Sequence, residues 1–184
     1  MGIEVGDVAP EFELPGLKVT GDAVEHRPYR LSEQRGKPLV LAFYPLDASA
    51  VCTKQLCEYQ DEFEGFEALG ADLWAISLQD LDSHELFART KNLSFPLLAD
   101  DSGVAATYGV TMLGGRAIRR SIFILDAEGV IRWKHVAMLG FGYRGAQELR
   151  EKLLELFPVP AGGSFDLPAP AGQTFDLPEP VRSN

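Results

Sequence analysis

The chain of 184 residues contains two cysteines, Cys52 and Cys57, which lie five positions apart. Any thiol chemistry must therefore take place in this stretch. The C-x4-C spacing leaves two interpretations open, a reactive pair or two unrelated buried cysteines. A metal site is disfavoured, because the three scattered histidines (His26, His84 and His135) provide no second pair of ligands at the spacing of a zinc site.

The residues around the cysteines predict a strand followed by a helix. The run Leu39–Tyr44 is apolar and bulky, which is typical of a strand covered on both faces, and Pro45 ends it. From Cys52 onward, apolar residues recur at helical spacing as far as Gly70, a residue suited to the left-handed position after a helix. Cys52 is therefore predicted to lie near the start of a helix.

A helix start has a chemical consequence for Cys52. Free N–H groups and the positive end of the helix dipole stabilise a thiolate, so Cys52 is a candidate nucleophile. In an intact helix, a step of five residues separates two Cα atoms by roughly 8 to 9 Å. A disulfide needs a Cα separation of about 4.4 to 6.8 Å. A bond between Cys52 and Cys57 is therefore expected to require unwinding of the first helical turns.

Residues 44–57 resemble the peroxiredoxin signature P-x-x-x-(T/S)-x-x-C, with Pro45, Ser49 and Cys52 at the motif positions. The position of Cys57 is similar to that of the second cysteine in the peroxiredoxin Q, or bacterioferritin comigratory protein, group. The resemblance extends from about Val5 to Phe157. Its two other matches are the opening segment, residues 6–15, and residues 120–126, which resemble the strand that carries the family's active-site arginine.

The chain departs from the family pattern next to Cys52. Ala48, Ala50 and Val51 replace the Thr-Pro-Gly type residues usual there, Ser49 takes the place of a commoner Thr, and Gln55 stands where Glu is frequent. These departures bear on substrate preference and cysteine reactivity, whereas the reaction class is unaffected.

The resemblance implies a thiol peroxidase that reduces hydrogen peroxide and organic hydroperoxides without metal, flavin or haem. In that scheme Cys52 is the peroxidatic residue and becomes a sulfenic acid. Cys57 is the resolving residue and condenses with it to form an intramolecular disulfide. A thioredoxin-like protein then reduces the disulfide by exchange.

Three more site residues follow from the resemblance. Ser49 would hydrogen-bond the peroxide and the thiolate, Arg120 would stabilise the thiolate and the leaving oxygen, and Pro45 would shield the sulfur from water. Without the resemblance, Ser49 is an ordinary turn or cap residue and Arg120 a surface strand residue. Arg120 is preferred to Arg119 because it lies three residues before Phe123, as in the family's strand pattern.

Two other functions remain as alternatives. A thioredoxin-like disulfide reductase is disfavoured, because such enzymes use C-x-x-C, which keeps both sulfurs within one helical turn. A non-enzymatic thiol redox sensor would keep the same two cysteines and would need a regulated partner. Turnover with peroxide distinguishes these functions from a peroxidase.

Composition indicates one soluble globular domain, predicted to cover residues 1–157, because 46% of the residues are hydrophobic. The net charge of −10 disfavours nucleic acid and anionic membrane as partners. The segment Met1–Glu4 shows neither a basic region before an apolar run nor a membrane-spanning stretch, so a cytoplasmic location is expected. A monomer or homodimer is expected.

The pattern along the chain predicts an α/β fold with a central mixed β-sheet flanked by helices, which the resemblance names as thioredoxin-like. Before the cysteines, residues 11–31 are predicted to form an edge hairpin broken at Pro15-Gly16 and Gly21-Asp22. After the cysteine helix, the pattern predicts a strand at 71–78, a helix from Asp82 to about Lys91, a short strand at 95–98 and a short helix capped by Ser102. A hairpin of 121–125 with 130–135 and a last helix at about 145–156 complete the domain.

Residues 158–184 are predicted to be a tail of a different kind. They hold a tandem ten-residue repeat, rich in proline and glycine, in which Phe-Asp-Leu-Pro occurs at 165–168 and 175–178. Proline and glycine at this density resist regular structure. Two hypotheses remain open: the Phe and Leu side chains dock as apolar anchors on a protein surface, or the tail is a flexible appendage.

Overall fold

A seven-stranded mixed β-sheet forms the centre of the structure, a computed structural model that describes residues 3–137 and 142–158. The elements in chain order are β1 (Glu13–Thr20), β2 (Ala23–Arg30), β3 (Leu39–Phe43), α1 (Ala50–Asp61), α2 (Phe63–Ala68), β4 (Asp72–Ser77), α3 (Leu81–Lys91), β5 (Leu97–Ala99), α4 (Val104–Thr107), β6 (Thr111–Met112), β7 (Ala117–Ile118), β8 (Ser121–Leu125), β9 (Ile131–Val136) and α5 (Ala146–Leu156). The strand order in the sheet is β2-β1-β5-β4-β3-β8-β9, and β6 pairs with β7 in a small separate hairpin.

Strand β3 lies near the middle of this sheet, parallel to β4 and antiparallel to β8. All five of its residues are buried. Val40 and Ala42 pack into the apolar layer that contains α1, α2, α3 and α5, whereas Leu41 and Phe43 pack into the opposite layer with α4. The prediction of a strand covered on both faces is therefore confirmed, and helices flank the sheet on both sides as expected.

The edge hairpin forms as predicted, but the expected break at Pro15-Gly16 is wrong. Strand β1 runs through both residues and turns only at Gly21, which has a φ of 59°. Pro15 lies opposite Pro28 on β2. A side chain at residue 16 would collide with the Tyr29 ring, since a Cβ there would lie 2.7 Å from Tyr29 Cδ2.

The caps of two helices differ from the prediction. Helix α3 begins at Leu81, and its cap is Asp80, whose carboxylate accepts from Ser83 N–H at 2.9 Å; the predicted start at Asp82 is wrong. Ser102 does not cap α4. The carboxylate of Asp100 does so, accepting from the N–H groups of residues 103, 104 and 105 at 2.8, 2.8 and 2.7 Å. A carboxylate has more acceptor sites than a hydroxyl and can satisfy several free N–H groups.

The helix expected between Cys52 and Gly70 is divided in two. Helix α1 ends at Asp61 and α2 begins at Phe63, because Glu62 leaves helical geometry with φ −102° and ψ 3°. Gly70 takes the predicted left-handed conformation, with φ 73°. The β8–β9 hairpin and helix α5 form as predicted.

No helix within residues 3–137 and 142–158 is long and apolar enough to cross a membrane. The repeats predicted for the tail lie beyond residue 158, outside the described residues. The boundary between domain and tail therefore stays a prediction.

Candidate active site

Cys52 lies in the first turn of α1, at the carboxyl end of β3, as predicted. A short loop, residues 44–49, joins the two elements and ends at Ser49, the N-cap of α1. Ser49 Oγ accepts from Cys52 N–H at 3.3 Å, and Thr53 N–H donates to the carbonyl oxygen of Ser49 at 2.8 Å. Cys52 is 1% exposed. The thiol therefore lies in a buried position in the first turn of a helix capped by Ser49.

Arg120 is the charged group that contacts the sulfur. It lies between β7 and β8, it is 3% exposed, and its Nη2 donates to Cys52 Sγ at 3.3 Å. The carbonyl oxygen of Arg120 accepts from Ala137 N–H at 2.9 Å, which holds the backbone in place. Arg119 is only half-buried. The structure thus brings Arg120 and Cys52 together across 68 residues of sequence, with a guanidinium donor facing the sulfur.

Gln55 and Tyr59 also belong to this site, although sequence reasoning did not assign them a role. Gln55 Oε1 accepts from Arg120 Nη1, and Gln55 Nε2 donates to Tyr59 OH at 2.9 Å. Tyr59 OH donates to the Arg144 carbonyl oxygen at 2.7 Å. Burial raises the pKa of Tyr59, so this hydroxyl stays protonated. The positions i, i+3 and i+7 relative to Cys52 place these side chains on one helix face, a signal that was present in the sequence.

The amide of Gln55 therefore orients the arginine. It accepts from the guanidinium with its oxygen and donates to Tyr59 with its nitrogen, so both partners are satisfied by a neutral group.

Cys57 lies farther along the same intact helix and is half-buried. Both thiols are free. Burial raises the pKa of the Cys57 thiol, and the positive charge of Lys91 partly offsets that effect. Cys57 is therefore protonated near neutral pH in this conformation, whereas Cys52 has a guanidinium as its neighbour.

We expect α1 to unwind near its start when the two cysteines form a disulfide, because helical geometry keeps their Cα atoms too far apart. Backbone amides of residues 50–58 should then exchange hydrogen faster in the disulfide form than in the dithiol form. The matched comparison is α3, a helix of similar length, where exchange should be unchanged. A disulfide with normal protection of residues 50–58 would contradict the geometric argument.

Pro45 lies at the start of the loop before Ser49 and is half-buried. Its predicted role in shielding the sulfur from water stays a prediction.

The same loop contains an unusual backbone conformation at Ala48, which has a φ of 55°. Left-handed geometry costs an L-residue other than glycine roughly 1 to 2 kcal/mol, so the loop is held in a strained shape.

Replacing Ala48 with glycine is expected to raise the free energy of unfolding by roughly 0.5 to 1 kcal/mol, because glycine adopts a positive φ without steric cost. The control is Ala50→Gly, since Ala50 is also exposed but is the first residue of α1. That change should lower stability by a few tenths to about 1 kcal/mol. Urea unfolding measures both values, and a loss of stability at both positions would show that Ala48 is not strained.

Within residues 3–137 and 142–158, no three His, Cys, Asp or Glu side chains are grouped so that they could hold a metal ion. Among the described contacts, the groups next to the Cys52 thiol are the start of α1, capped by Ser49, and the guanidinium of Arg120.

This arrangement, a buried thiol at the first turn of a helix on a thioredoxin-like sheet, defines a class of cysteine-based redox proteins. Residues 5–134 match the AhpC/TSA family. The chain is 40% identical over 129 residues to the chloroplastic peroxiredoxin Q of Sedum lineare, covering 69% of this chain and 66% of that protein. It is 32% identical over 163 residues to peroxiredoxin Bcp of Bacillus subtilis, covering 82% and 98%. The chain belongs to the AhpC/TSA family and, within it, to the peroxiredoxin Q/Bcp group.

The fold agrees with this assignment. The crystal structure of Enterococcus faecalis AhpC superposes with a TM-score of 0.75 at 27% identity, covering 85% of this chain and 93% of that one. The chain spans between 58% and 66% of the lengths of three chloroplastic peroxiredoxin Q relatives.

Proposed function

We propose that this protein is a thiol-dependent peroxidase that reduces hydrogen peroxide and organic hydroperoxides. The observation that carries the proposal is the contact of 3.3 Å between Arg120 Nη2 and Cys52 Sγ at the capped start of α1. A thiolate is the reactive form of cysteine, and both the cation and the helix start favour it. Membership of the peroxiredoxin Q/Bcp group supports the same activity.

In the first step, the Cys52 thiolate attacks one peroxide oxygen. An S–O bond forms, the O–O bond breaks, and the second oxygen leaves as water or an alcohol after it takes up a proton. Arg120 donates hydrogen bonds from a fixed position and stabilises the charge that develops on the departing oxygen. Ser49, whose hydroxyl accepts from Cys52 N–H, would orient the peroxide.

In the second step, the thiol of Cys57 attacks the sulfenic acid, so that an S–S bond forms and water leaves. This step requires α1 to open, because both cysteines belong to one intact helix in the dithiol form. A dithiol of the thioredoxin type then supplies two electrons and two protons by disulfide exchange. The thioredoxin-type reductant is proposed because the chain belongs to the peroxiredoxin Q/Bcp group.

A steady-state assay with peroxide, a thioredoxin and its reductase tests the proposal. Sustained consumption of many equivalents of peroxide is the expected result. Oxidation that stops after one equivalent would indicate a redox sensor, and reduction of insulin disulfides would indicate a disulfide reductase. Either of the last two results would overturn the peroxidase.

We also propose a cytoplasmic location, because recycling by a thioredoxin-type donor needs a reducing compartment. Cell fractionation tests it. The expected assembly is a monomer or homodimer, which light scattering measures directly.

A further inference from the structure

A second group of buried polar side chains lies beneath the loop that carries Ser49. Asp47, inside that loop, is 8% exposed, and Tyr44 and His84 are fully buried. Asp47 Oδ1 accepts from Tyr44 OH at 2.6 Å, and Asp47 Oδ2 lies 2.8 Å from His84 Nδ1. Ser83 Oγ also donates to Oδ2, at 2.7 Å. All polar atoms of the Asp47 side chain are therefore used inside the protein.

Hydrogen bonds hold this group together on both sides of the His84 ring. His84 Nε2 lies 3.1 Å from the Leu98 carbonyl oxygen, which can only accept, so Nε2 carries a hydrogen. Burial alone raises the pKa of Asp47, but hydrogen bonds from His84, Tyr44 and Ser83 and the charge of His84 outweigh it and lower the pKa. Asp47 and His84 therefore form a buried, hydrogen-bonded pair.

The Asp47–His84 pair holds the loop against the rest of the fold. His84 is on α3 and also reaches β5 through Leu98, whereas Asp47 is in the loop. The backbone N–H of Asp47 donates to Gln79 Oε1 at 3.2 Å, a further contact to the segment before α3. Asp47 lies two residues before Ser49, and only the strained Ala48 lies between them. The position of Ser49, and with it the start of α1, therefore depends on where Asp47 is held.

We propose that Asp47 and His84 are positioning residues for the peroxidase reaction, which dock the loop on α3 so that Ser49 and Cys52 keep their place opposite Arg120. This inference rests on the proposed function. Neither residue contacts the sulfur in a described hydrogen bond, so they act through the loop. A small displacement of a reacting group can slow a reaction by as much as about a hundredfold.

The test is the rate of Cys52 oxidation by hydrogen peroxide in a single turnover, followed by intact mass after quenching. His84→Asn and Asp47→Asn should each slow this rate by roughly tenfold to a hundredfold under conditions where circular dichroism shows a folded protein. The matched control is His26→Asn. His26 also contacts α3, through Glu85 at 3.2 Å, but it is 46% exposed and lies away from the loop, so its variant should keep the parental rate.

Two further variants separate positioning from stability alone. Tyr44→Phe removes one donor to Asp47 and leaves the Asp47–His84 contact in place, and it should slow oxidation by about twofold to fivefold. The double variant of Asp47→Asn with His84→Asn should be no slower than the slower single variant, because the two residues act as a unit. Parental rates in folded His84→Asn and Tyr44→Phe proteins would overturn the inference, as would a double variant slowed by the product of the single effects.

A failure of the proposed peroxidase function can be distinguished from a failure of the positioning role of Asp47 and His84. If the parent itself did not react with peroxide, the proposed function would fall, whereas the positioning role would still be decided by alkylation of Cys52 with iodoacetamide. That reaction needs no peroxide. The alkylation rate should fall in the His84→Asn variant and stay parental in the His26→Asn variant, and equal rates in both would overturn the positioning role.

Discussion

Replacing Cys52 with serine is expected to abolish peroxide consumption. A serine hydroxyl is hardly ionised near neutral pH, and neither the cation nor the helix start can make it a nucleophile comparable to a thiolate. The loss in kcat/KM should be on the order of 10³-fold or more. The measurement is the steady-state assay with thioredoxin and its reductase, repeated as a single turnover without reductant.

The matched variant is Cys57→Ser on the same helix. Because Cys57 is needed only for the second step, this variant should still consume one equivalent of peroxide at the parental rate and then stop. Sulfenic acid on Cys52 should accumulate and can be trapped with dimedone. An equal loss of the single-turnover rate in both variants would contradict the division of roles between the two cysteines.

Replacing Arg120 with alanine is expected to have the next largest effect. The change removes the cation 3.3 Å from Cys52 Sγ and leaves Gln55 Oε1 without its donor. Loss of one positioned donor to a developing charge lowers a rate by roughly 10²-fold to 10³-fold. The rate of peroxide reaction and the rate of Cys52 alkylation at fixed pH should both fall, because the alkylation needs the thiolate but no peroxide.

Arg119→Ala is the control, since it removes the same charge from the adjacent residue. We expect it to keep at least half of the parental rate. Arg120→Lys should be intermediate, because an ammonium keeps the charge but cannot bridge Cys52 and Gln55 as a planar guanidinium does. Equal losses at positions 119 and 120 would show that net charge, and not the geometry of Arg120, supports the reaction.

Local patterns were sufficient to predict much of the scaffold. The apolar run before Pro45 predicted a strand buried on both faces, and β3 has all its residues buried. The helical spacing after Cys52 predicted that this cysteine lies at a helix start, as it does. Such inferences succeed because strand and helix periodicity is expressed between residues that are close in sequence.

The predicted helix start at Asp82 and the predicted cap at Ser102 were wrong because neighbouring residues compete for the same role. In each case a different aspartate, Asp80 or Asp100, is near enough to accept from the free N–H groups. Several capping residues stand close together in both segments, and sequence alone does not decide which one faces the helix end. Which residue accepts from the free N–H groups depends on the direction in which the chain leaves the preceding strand.

The sequence by itself determined that any thiol chemistry must take place at Cys52 and Cys57, that Cys52 lies near a helix start, and that the two cannot bond while that helix is intact. Resemblance, and not periodicity, selected Ser49 and Arg120. Only the tertiary structure decided that Gln55 orients Arg120 and that Asp47 pairs with His84. These partners are 65 and 37 residues apart, and their contact depends on strand register and on how α1 and α3 pack against the sheet, which no local pattern encodes.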